Sequence, residues 1–113
     1  MAAPDSQLYL VQMLDNIERI RLWTTGHTLE TYRANLMLRD AGERCLERIS
    51  GASRRLSHET RAAQPQIPGR KVADIGNVLR HEYDDVADAE VWRIVVDDLS
   101  AQRSAVQSML EKR

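Results

Sequence analysis

Leu38, Ala41, Cys45, Ile49, Ala52 and Leu56 recur in steps of three or four residues. A β-strand would send half of them to each face. A helix, turning about 100° per residue, collects all six on one stripe. The centre of the chain is therefore an amphipathic helix that must bury this stripe against something apolar. A matching surface precedes it. Over residues 6–24, Leu10, Met13, Leu14, Ile17 and Ile20 repeat at helical spacing, with Asp15, Glu18, Arg19 and Arg21 between them. Gly26 is the expected stop, and Thr28 offers a hydroxyl to cap the next helix. Three residues on stands Thr31 rather than Glu or Gln, so a full capping box is not expected.

The second segment spans residues 29–58, with a bend expected early in it. Gly42 and Gly51 each weaken it by roughly 1 kcal/mol relative to Ala, and also permit close helix approach. Gln64-Pro65-Gln66-Ile67-Pro68-Gly69 is the clearest break, and Pro68 suits the first turn of the next helix. In that helix, residues 70–83, Val72, Ile75 and Leu79 share one face. Arg70, Asp74, Asn77 and His81 share the other. Residues 84–88 read as a loop ending on Asp88 as N-cap of a last helix over 89–112. Its stripe is Val91/Trp92, Val95, Leu99, Val106 and Met109/Leu110.

Four principal helices with short connections predict an all-α, antiparallel four- to five-helix bundle in one domain across residues 1–113. Composition agrees. Phe is absent and aromatics are 4%, poor material for a sandwich or barrel. One cysteine, Cys45, excludes an internal disulfide and a Cys-rich zinc site. On the core stripe it is expected as a buried, inert thiol. His27 and His58 lie near helix ends, and three scattered histidines suggest no metal site. The glycines never cluster into a phosphate-binding loop, and no cofactor is expected. Trp23 and Trp92 are expected as core or interface anchors. No aromatic platform of the kind that stacks single-stranded bases is expected. No apolar run approaches a membrane span, and the first residues have no export signal, so a cytoplasmic protein is expected.

Charge is divided unevenly. Residues 39–80 hold nine basic side chains against five acids, whereas residues 81–100 hold seven acids against Arg93 alone. The former region suits phosphates and the latter does not. Arg44, Arg48 and Arg55 project within about 40° of each other beside the apolar stripe, as a phosphate-contacting wall would. Glu47 is placed to pair with Arg44.

Ile67 to Tyr83 reads Ile-Pro-Gly-Arg-Lys-Val-Ala-Asp-Ile-Gly-Asn-Val-Leu-Arg-His-Glu-Tyr. It resembles the signature of HepT-like HEPN proteins, the toxin halves of bacterial HepT–MntA modules. In those, an Ile-Pro pair and a helix lead into Arg-Asn-x-Leu-x-His-x-Tyr. Asn77, Leu79, His81 and Tyr83 match in type and spacing. Arg39 to Ile49 resembles the family's second-helix segment, and Val91-Trp92 with Asp97-Asp98-Leu99 its last.

The resemblance implies an all-α homodimer with a metal-independent ribonuclease site in the dimer cleft. It also implies a nucleotidyltransferase antitoxin that attaches AMP to the motif tyrosine. Carried over, His81 is the catalytic histidine, Asn77 a supporting polar residue and Tyr83 the modification site. The motif arginine falls on Gly76. Arg80 lies beside His81, about 100° away around an ideal helix. Arg70 lies on the histidine's own face, roughly 16 Å along the axis. Were two such helices to cross antiparallel near Gly76, Arg70 of one would come level with His81 of the other. The expected phosphate contacts are thus Arg44, Arg48 and Arg70. The alternative is a HEPN binding module that has lost cleavage with the arginine and still complexes with the nucleotidyltransferase.

Overall fold

The computed structural model describes residues 4–63 and 84–111. Six α-helices and one π-helical turn account for them: α1 (Pro4–Thr24), α2 (Leu29–Ala34), α3 (Leu36–Arg54), α4 (His58–Ala63), α5 (Asp84–Arg93), the π turn (Ile94–Asp98) and α6 (Leu99–Glu111). The described residues contain no strand, and the all-α reading holds. The breaks expected at 64–69 and the helix expected over 70–83 lie outside the described residues.

Helix α1 packs against α3 on one side and α6 on the other. Leu10, Met13, Ile17 and Ile20 meet Leu38, Cys45, Leu46, Ile49 and Ala52 of α3, and Val91, Ile94, Leu99, Val106 and Met109 close the core. The α1–α3 register is antiparallel. Ile20 lies beside Gly42 near one end, and the Ser57 N–H donates to Ser6 Oγ at 3.1 Å beyond the other. A Cβ on Gly42 would come within 3.3 Å of the Tyr32 hydroxyl, so the helices meet closely there.

Gly26 ends the first hairpin with a φ of +82°, a conformation that L side chains rarely adopt. Thr28 caps α2 as expected, but the capping box is complete after all. Thr31 supplies the second half with its own hydroxyl, which accepts from the Thr28 N–H at 2.8 Å. The bend expected in the second segment is a full break at Asn35, whose side chain caps α3 by accepting from the Leu38 N–H at 3.0 Å. That segment also stops at Arg54 rather than running to His58. Ser57 then caps α4 through the Thr60 N–H at 3.1 Å.

Two expectations near the C-terminal end are overturned. Residues 84–88 are helical, part of α5, not a loop. Asp88 is therefore not an N-cap. It is buried within α5, with Arg39 Nε 3.2 Å from its carboxylate. The last helix is also interrupted: the Leu99 N–H bonds to the Ile94 carbonyl, a five-residue step. That step brings Ile94 and Leu99 onto the core together and leaves Val95 half-buried. Arg93 clasps the turn, reaching Glu90 at 2.7 Å and Asp98 at 3.1 Å.

Candidate nucleic-acid interface

The apolar stripe of α3 turns toward α1, so residues on the flank of that stripe are forced outward. Arg44, Arg48, Gly51 and Arg55 recur at steps of four, three and four and share that flank. With Gln12 of α1, Ala52 and Arg54 they line an open groove of about 630 Å³. Gly51 lies on this groove, and a Cβ there would meet nothing within 4 Å.

Four arginines therefore border one concavity. Arg44 lies 3.3 Å from Glu47, the pairing the spacing suggests, with its side chain 63% exposed. Such an exposed pair is worth little and is readily exchanged for a phosphate. The Arg55 guanidinium sits 5.6 Å from the centre of the Tyr9 ring, a cation–π contact that limits its wandering. Arg61 donates to the Arg54 carbonyl at 2.6 Å, tying α4 to the end of α3. Arg44 and Arg48 thus stand on one wall, as their helical spacing requires. Gln12 escapes a reading of the sequence, because its membership depends on how α1 packs against α3; Arg54, the last residue of α3, sits about 100° around the helix from Arg55 and off the flank that the spacing picks out.

A second polar cluster lies on another side of α3. Asp88 and Arg39 pair across 49 residues of sequence, their side chains 3% and 19% exposed. Tyr32 is buried nearby, its ring 5.5 Å from that of Trp92. Burial, with the charges of Glu43 and Asp88, drives the Tyr32 phenol far above its usual range. Burial and the Asp88 carboxylate likewise raise the Glu43 carboxyl above its ordinary 4.5. The folded chain therefore holds the Glu43 proton more tightly than the unfolded chain. The resulting stability is present in full below pH 4.5 and is lost as pH climbs through the raised value. Glu43→Gln should raise the Tm at pH 7, and the gap to wild type should close below about pH 4.5. A Tm difference that does not change between these conditions would contradict this assignment.

Cys45 is buried, and burial raises its thiol, so it is no nucleophile. Among the described residues, no group of three or more His, Cys, Asp or Glu could hold a metal ion. None of the described helices is long and apolar enough to cross a membrane. His81, Asn77, Arg80, Tyr83, Arg70 and Gly76 lie outside the described residues.

Of the two places expected for Trp23, core or interface, the core is excluded, since its side chain is 41% exposed. The four-residue step from Ile20 lands on Thr24, which is buried and donates its hydroxyl to the Ile20 carbonyl at 2.7 Å. That step is the available signal in the sequence, because it turns Trp23 off the core face.

The family described as Ribonuclease HepT-like matches residues 13–109. A Methanocaldococcus jannaschii protein named "Putative RNase MJ1380" is 26% identical over 107 residues, covering 95% of this chain and 98% of that protein. "Probable ribonuclease HepT" of Thermococcus cleftensis is 26% identical over 101 residues, covering 89% of this chain and 92% of its own length. No solved structure matches. Since the family match spans nearly all of the helical bundle, this chain belongs to the HepT-like ribonuclease family.

Proposed function

We propose that this chain is a metal-independent endoribonuclease acting in the cytoplasm as a homodimer, with its site in the cleft between the two copies. The observation that carries this reading is a groove lined by four arginines on a chain of a ribonuclease family. Arg44, Arg48 and Arg70 hold phosphates through sequence-independent attraction. His81 acts as general base or acid and Asn77 orients it. The ribose 2′-hydroxyl loses its proton and attacks the adjacent phosphorus. The bond from phosphorus to the 5′ oxygen breaks, and that oxygen takes a proton. The products are a 2′,3′-cyclic phosphate and a 5′-hydroxyl. Arg80 steadies the charge that builds on the phosphate during attack, the task of the arginine that Gly76 replaces.

A nucleotidyltransferase antitoxin of the MntA type restrains this activity by transferring AMP to Tyr83. Gly76 favours one second reading, a binding module that keeps the partner and has lost cleavage. Digestion of RNA in excess chelator separates the two. On the nuclease reading, wild type cleaves and His81→Ala falls by about a hundredfold or more, the usual weight of a general acid–base group. An inert wild type that gains cleavage through Gly76→Arg would favour the binding module instead.

A further inference from the structure

Further along α3 from the arginine groove lies a separate apolar notch. Trp23, His27, Asn35, Met37, Leu38 and Ala41 line a cavity of about 350 Å³ at the far end of the α1–α3 face. Met37 is 80% exposed there. Ala41 in the notch and Arg44 in the groove are three residues apart on α3, roughly 4.5 Å of helix rise. Exposed apolar surface of this kind marks a binding face more often than chance packing does. No acid lines the notch; of the acids beside the path, Glu47 pairs with Arg44, and Asp15, which faces Cys45 beside Arg48, pairs with Arg19 at 3.0 Å.

We propose that the notch is a nucleobase subsite, and that Trp23 stacks an unpaired base whose phosphate lies on Arg44 or Arg48. The ligand class is single-stranded RNA, an inference that rests on the nuclease reading above and narrows it. An indole face beside guanidinium groups is the combination that single-strand binders use: cations follow the backbone and a ring takes any base. Asn35 Oδ1 is occupied by the Leu38 N–H, which turns its amide nitrogen toward donation. His27 is oriented by Thr31, whose hydroxyl lies 3.0 Å from Nδ1. Both residues can meet the edge of a base. A duplex keeps its bases stacked inside and gives Trp23 nothing to hold.

The test is binding to a 2′-O-methyl oligonucleotide, which cannot be cut by 2′-hydroxyl attack, as a single strand and as a duplex. The expected result is quenching by the single strand of the emission that wild type has and Trp23→Ala lacks. Trp23→Ala should weaken single-strand binding roughly 5- to 100-fold. It should leave duplex binding within about twofold, and Trp23→Tyr should restore most of the loss. Unchanged single-strand affinity in Trp23→Ala, while Arg48→Glu weakens binding, would overturn the subsite and leave the nuclease reading standing. Failure of wild type to bind either form would overturn both. A shift from dimer to monomer in Trp23→Ala, read by light scattering, with RNA affinity unchanged, would assign the notch to a second copy of this chain and also overturn the proposal.

Discussion

Arg44→Glu combined with Arg48→Glu is expected to lower affinity for single-stranded RNA by more than about a hundredfold at low salt, because two phosphate contacts become two repulsions. The salt dependence gives the sharper signature. Each lost phosphate contact removes about 0.7 from the slope of log K against log salt for a single strand, so the double variant should lose about 1.4. Both side chains are exposed, and Arg44 gives up only its solvent-facing pair with Glu47. The fold should therefore survive, with each substitution costing about 0.5 kcal/mol or less. Fluorescence anisotropy across a salt series reads both quantities. An unchanged slope would remove this groove from the RNA path.

Asp88→Ala carries the largest expected cost to stability. It removes the carboxylate that answers Arg39 in a site where Asp88 itself is 2% exposed. Breaking one side of a buried pair typically costs about 3–5 kcal/mol. Because Arg39 retains some access to water, about 3 kcal/mol is expected at pH 7. Asp88→Asn keeps the shape and one acceptor, and should cost about half as much. Urea denaturation measures both. A midpoint unmoved in Asp88→Ala would mean that the pair does not tie α3 to α5.

The helical plan is legible in the sequence because it rests on local periodicity. The stripe on α3 and its counterpart on α1 are buried against each other, and Gly26 and Thr28 punctuate the chain where their backbone chemistry says they should. Periodicity fails where a residue's role is set by a distant partner. Asp88 reads as a cap because aspartate favours helix starts, yet Arg39, far away in sequence, draws it into the interior. The five-residue step at Ile94 defeats any fixed period and shifts the stripe from Val95 to Ile94. Size alone argues for Trp23 in the core, although the steps of α1 put Thr24 there instead.

The candidate site divides in the same way. Arg44 and Arg48 can be named from spacing alone, since one helix face determines where they point. Gln12 completes the groove only through packing, and Arg54 lies off the face that the spacing selects. His81 and Tyr83 owe their proposed roles to the likeness of residues 67–83 to a family signature, which periodicity cannot supply.

The most direct test of the nuclease reading is the chemistry of the cut ends. RNA incubated with the protein in excess chelator, then analysed by mass spectrometry, should yield fragments ending in 2′,3′-cyclic phosphate opposite 5′-hydroxyls. Fragments bearing 3′-hydroxyls and 5′-phosphates, or RNA left intact until a divalent metal is added, would contradict it.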